Sequence, residues 1–265
     1  MIKLVACDLD GTILDKHKNP DPKLKETIEK LRKHNIDFTI ISGRNEEIMH
    51  QYVDFYDVKI PYVTNNGGNV YHNHVCLYND CIPQIYNNTI ASLLYENDVA
   101  FRMFTTTNVF GHSVTDFFIE RMVNFDPIKI DYNPSIDISN QQIYKITCDF
   151  NKHKEIIPRF LEEINQKCPN VNFLRAETYV YCANSLTATK GNALKKVCEL
   201  INIDMSEVIA FGDNGNDVSM LKGVGVSVSM GNAQDDIKQL CDYVCEDNEH
   251  SGVARFLEEY FKDIL

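Results

Sequence analysis

The sequence is short of positive charge and has no long apolar run. Lysine and arginine number 26 against 38 aspartate and glutamate residues, which gives a formal net charge of −12. Such a chain repels the phosphate backbone of nucleic acid over any long contact. No apolar run reaches the roughly 20 residues that a membrane-spanning helix needs. We therefore expect neither nucleic acid nor a membrane as a partner.

The cysteine pattern lacks the spacings of a disulfide framework or a structural zinc site. The nine cysteines are an odd number and include no Cys-x-x-Cys pair. The N-terminal apolar run, residues 2–7, is too short for a signal peptide and continues into acidic residues. These features predict a soluble cytoplasmic protein in a reducing compartment.

The two ends of the chain alternate short apolar runs with segments of helical periodicity. In the first third we predict strands over residues 4–7, 36–41 and 60–64, with helices over 21–34 and 46–54. In the last third we predict strands over 208–211 and 226–228, with helices over 190–200, 216–222 and 252–261. Strands and helices that alternate in this way predict an α/β fold with a parallel sheet.

The middle of the chain has a different texture, with longer segments rich in Tyr, Phe, Thr and Asn. We predict helices over 89–96 and 152–166, and strands over 99–105, 143–150, 172–174 and 179–182. The sequence therefore predicts an α+β domain over 82–184, inserted into a core formed by 1–81 and 185–265.

Two carboxylates follow the first predicted strand. Asp8 comes directly after it, at the carboxyl end where open α/β sheets bind their ligands, and Asp10 lies two residues further on. Gly11 and Thr12 allow a sharp turn that presents backbone N–H groups to an anion. The pattern fits a catalytic carboxylate, although a strand-ending turn with two solvated aspartates would look the same.

Two further segments offer groups that could hold a phosphate. Ser42, Gly43 and Arg44 follow the second predicted strand and supply a hydroxyl and backbone N–H groups, although Ser-Gly also occurs in ordinary turns. Lys190 opens a predicted helix and could neutralise an anion. Taken alone, such a lysine is more often a solvated surface residue.

The loop over 212–217 contains two carboxylates and two amides between glycines. Asp213, Asn214, Asn216 and Asp217 supply hard oxygen ligands at a spacing that suits Mg²⁺. An ordinary turn or a weak calcium loop would have a similar composition. An EF-hand is excluded, because no Glu stands at the twelfth position.

Together these segments resemble the four motifs of the haloacid dehalogenase superfamily: Asp-x-Asp-Gly-Thr, a Ser or Thr at a strand end, a Lys, and Gly-Asp-x-x-Asn-Asp. Asn66-Gly67, Lys190-Gly191 and the run over 230–233 also resemble its Cof-type branch. The resemblance implies a Rossmann-like parallel-sheet core with a type IIB α+β cap, which closes over the site and selects the substrate. The Cys182-Ala183-Asn184 segment and Ser227 and Ser229 depart from the usual pattern, which weakens any transfer of specificity.

The resemblance also implies a role for each motif residue. Asp8 would be the nucleophile and Asp10 the general acid and base, with Mg²⁺ held by Asp8, Asp213 and the backbone carbonyl of Asp10. Phosphate-binding residues would be Ser42, Gly43, Arg44, Lys190 and Asn216. Supporting residues would be Asp217 and Asn66.

The expected activity is hydrolysis of a small phosphorylated metabolite, a sugar phosphate or a nucleotide- or cofactor-type phosphate, by a monomer or homodimer. A phosphomutase or phosphotransferase would share the aspartyl-phosphate, and a non-enzymatic phosphoacceptor module would share the strand-end Asp, the Mg²⁺ and the Lys. In the cap, Arg102, Arg121 and Arg175 are candidates for contact with an anionic substrate, although such an arginine is more often a solvated surface residue.

Overall fold

The protein is described by a computed structural model of residues 1–105, 108–124, 129–132 and 137–265, in which residues 121–124 are described by their backbone alone. The chain divides into two compact units. The first unit combines Met1–Tyr78 with Thr189–Leu265, and the second is Asn79–Ala188. Residues 82 and 184 as the limits of an independent cap domain stay a prediction.

The strands are numbered in chain order. They are β1 (Leu4–Cys7), β2 (Asp37–Ile40), β3 (Tyr62–Thr64), β4 (Asn69–His72), β5 (Val75–Asn79), β6 (Ala100–Thr105), β7 (Val109–His112), β8 (Ile130–Asp131), β9 (Ile143–Asp149), β10 (Val171–Glu177), β11 (Val180–Ser185), β12 (Val208–Gly212), β13 (Val226–Ser229) and β14 (Tyr243–Val244).

The α-helices follow the same convention. They are α1 (Pro22–Arg32), α2 (Glu46–Phe55), α3 (Asn87–Glu96), α4 (Asp116–Asn124), α5 (Ile157–Lys167), α6 (Lys190–Ile201), α7 (Val218–Leu221), α8 (Asp235–Leu240) and α9 (Gly252–Tyr260). Across the described ranges, each helix is too short or too polar to cross a lipid bilayer.

The first unit is built on a parallel sheet with the strand order β14-β13-β12-β1-β2. In the centre, Leu4 pairs with Val208 on one side and with Asp37 on the other. Every hydrogen-bonded pair of strands in this sheet is parallel, so the carboxyl ends of the strands share one edge. The predicted α/β class with a parallel sheet is confirmed.

Successive side chains of β1 pack into the cores on opposite faces of this sheet. Val5 and Cys7 belong to a core that also contains the buried faces of α1, α2 and α9. Leu4 and Ala6 belong to a second core with α6, α7 and α8. Because successive side chains of a strand point to opposite faces, a fully apolar strand indicates a sheet covered by helices on both faces.

A hairpin that the sequence did not reveal follows β3. The strands β3, β4 and β5 form a three-stranded sheet, with β3 and β4 antiparallel. The turn between β4 and β5 consists of Asn73 and His74, whose φ angles are 48° and 62°. Two-residue hairpin turns with both φ angles positive usually contain glycine, so this turn lacks the usual sequence signal.

Two helix predictions needed correction at their first turns. Residues 215–217 form a 3₁₀ turn before α7, and residues 154–156 form another before α5. Pro158 occupies the first turn of α5, where its missing N–H costs no hydrogen bond. The helices themselves therefore begin two to five residues later than the predicted starts at 216 and 152.

The second unit has a six-stranded sheet with the order β10-β11-β9-β6-β7-β8. Its paired strands are antiparallel except β7 and β8, which are parallel. Residues of α3 and α5 bury their apolar faces in the same core as β6 and β9. Helices packed on a mostly antiparallel sheet give the α+β character that the sequence predicts for this segment.

Of the three arginines that were candidates for substrate contact in this unit, Arg102 is buried. Its side chain is 3% exposed, donates a hydrogen bond to the Phe118 carbonyl at 2.8 Å and lies 4.3 Å from the Phe118 ring centroid. It therefore supports the packing of the second unit. Arg175 is exposed, and its Nε donates to the Glu177 carbonyl at 3.2 Å. The Arg121 side chain lies outside the described residues.

Candidate active site

The carboxyl edge of the parallel sheet carries the motif residues of the first unit. Asp8 follows β1 and its backbone N–H donates to the Phe211 carbonyl of β12 at 3.0 Å. Ser42 follows β2 and its N–H donates to the Val63 carbonyl of β3 at 2.9 Å. These backbone hydrogen bonds fix the first residue of each loop against the neighbouring strand, so the positions of the Asp8 and Ser42 side chains are well defined.

A buried ion cluster lies at this edge. The Lys190 ammonium donates to Asp8 Oδ1 and to Asp217 Oδ1, both at 2.5 Å. The three side chains are 1%, 8% and 0% exposed, respectively. Asp217 Oδ2 accepts the backbone N–H groups of Asp213 and Asn214, each at 3.0 Å. Lys190 is therefore buried and not a solvated surface lysine. Asp217 binds the Lys190 ammonium through one oxygen and the backbone of the 212–217 loop through the other.

The start of α6 places Lys190. Thr189 caps the helix by accepting the Asn192 N–H at 3.1 Å. The Thr189 backbone lies against Gly67, whose φ of 101° is in the left-handed region and where an added Cβ would overlap the Thr189 carbonyl. Only glycine allows that approach, so the Asn66-Gly67 pair that suggested a family resemblance has a structural reason.

Asp213 completes a group of three carboxylates. One oxygen each of Asp8, Asp213 and Asp217 lies within 4.8 Å of the others. Thr12 Oγ1 donates to Asp213 Oδ1 at 3.3 Å. Gly11 adopts a φ of 81°, and a Cβ there would lie 2.5 Å from Asp213 Oδ2. The Asp-x-Asp-Gly-Thr segment and the 212–217 loop thus meet at one point.

The electrostatics of this group favour an added cation. Burial raises the pKa of Asp8 against the effect of Lys190, and the carboxylates of Asp217 and Asp213 raise it further. Burial and Asp217 raise the pKa of Asp213 to about 6. Burial alone would lower the pKa of Lys190, but Asp217 and Asp8 outweigh it and keep the lysine charged. Three carboxylates against one ammonium leave two negative charges in excess in a desolvated place.

The donor set fits a hard divalent cation. Its ligand atoms are carboxylate oxygens, with no nitrogen or sulfur in the group. Both Asp217 oxygens already accept hydrogen bonds, so Asp8 and Asp213 are the carboxylates best suited to ligation. One or two carboxylates are the protein contribution that Mg²⁺ usually takes.

Asp10 lies in a second ion cluster with a different character. Arg44 donates to it twice, from Nε to Oδ2 and from Nη2 to Oδ1, both at 2.7 Å. Lys18 Nζ donates to Oδ1 at 2.7 Å. The Asp10 side chain is 37% exposed. Burial opposes the shift, but Arg44 and Lys18 lower the pKa of Asp10 to about 2.

This second cluster contains a residue that the sequence did not single out. Lys18 lies in a polar loop, has a φ of 65° and belongs to no motif. Arg44 was expected to bind phosphate, and in the structure its guanidinium forms the bidentate pair with Asp10 and also donates to the Tyr52 hydroxyl at 3.0 Å. Its phosphate-binding role stays a prediction.

The remaining predicted residues join neighbouring loops. Asn216 Nδ2 donates to Asn66 Oδ1 at 2.9 Å. Gly43 lies so close to the Asn66 amide that an added Cβ would be 2.7 Å from its Oδ1. Ser42 is 1% exposed, and its Oγ accepts the Arg44 N–H at 3.1 Å. The loops after β2, β3 and β12 are thus linked by amide contacts at one edge.

Comparison with known proteins gives the family. The sequence profile of the haloacid dehalogenase-like hydrolases matches residues 5–257, nearly the whole chain. The chain belongs to this family. A 5-amino-6-(5-phospho-D-ribitylamino)uracil phosphatase of Bacillus subtilis is 27% identical to it, over 97% of each protein. The predicted family and the predicted enzyme class, a phosphatase, are confirmed.

Solved structures agree with the fold. A haloacid dehalogenase-like hydrolase from Bacteroides thetaiotaomicron is similar with a TM-score of 0.84 at 23% identity, covering 98% of this chain and 100% of that one. A subclass IIB sugar phosphatase of the superfamily is similar with a TM-score of 0.82 at 20% identity, covering 99% and 100%. At these identities the likeness speaks for the shared fold.

Proposed function

We propose that this phosphatase is Mg²⁺-dependent and hydrolyses a small phosphorylated metabolite through an aspartyl-phosphate on Asp8. The observation that carries the proposal is the buried contact of Lys190 with both Asp8 and Asp217, with Asp213 beside them. A buried carboxylate with a fixed ammonium and a second carboxylate within reach of the same cation is suited to meet a phosphate anion.

Asp8, Asp213 and the backbone carbonyl of Asp10 would hold the Mg²⁺. When bound, the ion would offset the excess negative charge of the carboxylates and of the incoming phosphate. It would also lower the pKa of Asp8 and of Asp213, both raised in the metal-free protein. The ionised form of Asp8 is the one that attacks phosphorus, and the ion would stabilise that form.

In the first half-reaction, a carboxylate oxygen of Asp8 attacks phosphorus and the bond to the ester oxygen breaks. Asp10 gives its proton to the departing oxygen, so an alcohol leaves and an acyl phosphate remains on Asp8. A pKa of about 2 keeps Asp10 ionised while Arg44 and Lys18 both bind it. Asp10 must therefore release at least one of them before it can act as the acid.

In the second half-reaction, the ionised Asp10 takes a proton from water as the water oxygen attacks phosphorus. The bond between phosphorus and the Asp8 oxygen breaks, which restores the Asp8 carboxylate and releases inorganic phosphate. The contacts with Arg44 and Lys18 favour this base form of Asp10.

Ser42, Gly43, Lys190 and Asn216 would contact the phosphoryl oxygens. The Asn66 contact with Asn216 and the Asp217 contact with Lys190 would hold two of these groups in place. Asp217 and Asn66 are in this proposal positioning residues.

The proposed substrates are sugar phosphates and nucleotide- or cofactor-type phosphates. Two similar proteins support this class, one named for a phosphorylated ribitylaminouracil and one called a sugar phosphatase. Substrate selection by residues 82–184 stays a prediction.

Phosphate release from a metabolite panel tests the proposal. Sugar phosphates, nucleoside monophosphates and phosphorylated cofactor precursors would be incubated with the wild-type protein in Mg²⁺ or in EDTA, beside Asp8→Asn. We expect phosphate release from a subset of the panel that needs both Mg²⁺ and Asp8. Full activity of Asp8→Asn would overturn the mechanism.

Two other results would favour the alternative functions. Isomerised product without free phosphate would indicate a phosphomutase. Slow loss of phosphate from the protein itself, with no turnover of any ester, would indicate a phosphoacceptor.

A further inference from the structure

A second group of potential metal ligands lies in the first unit, away from the motif residues. Glu46 and His50 belong to α2, and His74 lies in the turn between β4 and β5. One ligand atom of each residue lies within 4.8 Å of the others. In the part of the chain that the structure describes, this and the group around Asp8 are the two clusters of this kind.

Both histidines converge on the same carboxylate oxygen. Glu46 Oε1 lies 2.9 Å from His50 Nε2 and 3.1 Å from His74 Nδ1, and it accepts the Tyr62 hydroxyl at 2.5 Å. The other oxygen, Oε2, is buried and has no hydrogen-bond partner among the described residues. A buried carboxylate oxygen without a donor normally needs an explanation, and a bound ion is one.

Local structure explains why these side chains meet. Glu46 and His50 are four residues apart on one face of α2, which Asn45 caps by accepting the Ile48 N–H. His74 occupies a left-handed turn position, with a φ of 62°, where glycine is the usual residue. The turn thus has an imidazole, a possible metal ligand, at a position where the backbone conformation favours glycine.

The donors have the chemistry of a transition-metal site. Two imidazole nitrogens and a carboxylate form a known ligand set for Zn²⁺, while Mg²⁺ prefers oxygen alone. Tetrahedral Zn²⁺ with bonds of about 2.0–2.1 Å keeps its ligand atoms about 3.3 Å apart, so the observed contacts would open by only a few tenths of an ångström. An ion there would bind His50 Nε2 and His74 Nδ1, the ring nitrogens that face Glu46.

The surroundings of the cluster fit the same chemistry. Asp54 Oδ1 lies 3.9 Å from His74 Nε2, the ring nitrogen that does not face Glu46. At this distance the contact is an ion-pair contact and not a hydrogen bond, so Asp54 adds a nearby negative charge without fixing the ring. The side chains of His50 and His74 are 44% and 42% exposed, which leaves a route for an ion and for a water ligand.

We propose that Glu46, His50 and His74 form a second metal site, selective for Zn²⁺ or a similar transition-metal ion over Mg²⁺. The ion would join α2 to the β4–β5 hairpin. The proposal does not depend on the proposed reaction, because none of its three ligands takes part in it.

Zn²⁺ titration of the full-length protein in excess Mg²⁺ tests the site. Excess Mg²⁺ would compete with Zn²⁺ at the cluster of Asp8, Asp213 and Asp217, and the difference between the wild type and the histidine variants reports Zn²⁺ at the histidine cluster. We expect one Zn²⁺ per chain in the wild type and at least about 100-fold weaker binding in His50→Gln and in His74→Gln. Asp54→Asn removes an exposed negative charge near His74, so it should weaken binding by about tenfold or less.

Two control variants keep the cluster intact. His250→Gln removes a histidine with a nearby carboxylate, Asp247, elsewhere in the first unit and should bind Zn²⁺ as the wild type does. Asp213→Asn removes a carboxylate of the other cluster and should also keep the Zn²⁺ site. Equal Zn²⁺ affinity in the wild type, His50→Gln and His74→Gln would overturn the proposal.

The wild-type protein gives an independent readout if a variant does not fold. The cluster of Asp8, Asp213 and Asp217 contains no histidine, so ion binding there gives no histidine ligand signal, and the assigned ring signals of His50 and His74 report on the proposed site. Of the eight histidines, two should shift their ring signals on addition of Zn²⁺ in excess Mg²⁺. An unchanged histidine spectrum would show that Glu46 and its neighbours form a hydrogen-bonded cluster only.

Discussion

Asp8 and Asp10 are two residues apart, and basic side chains contact each of them, yet their surroundings differ. The Asp8 side chain is 8% exposed and shares the buried Lys190 with Asp217. The Asp10 side chain is 37% exposed and has two cationic partners to itself, Arg44 and Lys18. Burial raises the pKa of Asp8, and the two cations lower the pKa of Asp10 to about 2.

The difference separates two chemical tasks. Neighbouring carboxyl groups whose surroundings move their pKa values apart commonly have different roles in enzymes. Asp8 shares a single buried ammonium with Asp217, whereas Asp10 has two cations to itself and is ionised, the form suited to its proposed role as a base toward water. The same residue type thus serves two proposed roles because its neighbours differ.

The largest expected effect is that of Asp8→Asn, which removes the nucleophile and keeps the size of the side chain. We expect turnover to fall by at least about 10⁴-fold, because no phosphoenzyme can form. Acid quenching with radiolabelled substrate would measure the covalent species. Asp10→Asn is the matched control and should still form the covalent phosphoenzyme. Detection of a radiolabelled Asp8→Asn protein would contradict the assignment of Asp8 as the nucleophile.

Asp10→Asn should lose about 10²- to 10⁴-fold in turnover of an alkyl phosphate, the usual range for a general acid and base. With p-nitrophenyl phosphate the first half-reaction should be much less affected, because p-nitrophenolate leaves without a proton. A burst of p-nitrophenol followed by slow turnover would show this. If the substitution lowered the burst rate by the same factor for the alkyl phosphate and for p-nitrophenyl phosphate, Asp10 would not be the general acid.

Removal of metal should make the free energy of unfolding depend on pH through Asp213. Its pKa of about 6 in the folded protein lies above the ordinary value of 3.8, so protonation of Asp213 stabilises the folded state. This stabilisation is fully present below pH 3.8 and is lost as the pH rises through 6. In EDTA we expect a loss of about 3 kcal/mol at most from this group between pH 4 and pH 7.5, measured by urea denaturation.

Asp213→Asn is the control for that measurement. The variant should show a smaller dependence on pH, to which the raised pKa of Asp8 still contributes in the same direction. Mg²⁺ should stabilise the wild type more at pH 7.5 than at pH 5, because binding requires the ionised carboxylates. Equal stabilisation at both pH values would contradict the proposed ligands.

The smallest expected effect is that of Arg44→Gln, about tenfold or less in turnover near neutral pH. If Arg44 acts through Asp10, the pKa of Asp10 rises and the acidic limb of the pH profile of kcat moves to higher pH. If Arg44 binds phosphate instead, KM rises and the limb stays in place. Lys18→Gln removes the other cation and should move the limb in the same direction.

Much of the core could be predicted because its signals are local. The apolar strand at residues 4–7 and the helical periodicity of α1 and α9 each lie within a dozen residues. The second unit was harder to predict. Its β7, β8 and α4 were not predicted, and Arg102 is buried among residues that only the fold brings together.

Contacts between distant residues account for what the sequence did not reveal in the candidate site. Lys18 carries no motif, and its relevance follows from a 2.7 Å contact with Asp10 in a loop of irregular backbone. His74 became notable only when the unpredicted hairpin placed it beside Glu46. Propensity and periodicity describe neighbours along the chain, so neither feature could be found from them.

The sequence by itself determined the family, the strand-end position of Asp8 and the kinds of side chain available for the reaction, because these depend on residue type and order. Only the tertiary structure decided which basic group contacts which carboxylate. Lys190 is 182 residues from Asp8 along the chain and still contacts it, while Arg44 contacts Asp10, 34 residues away. Burial and charge neighbours set a pKa, and both exist only once the chain has folded.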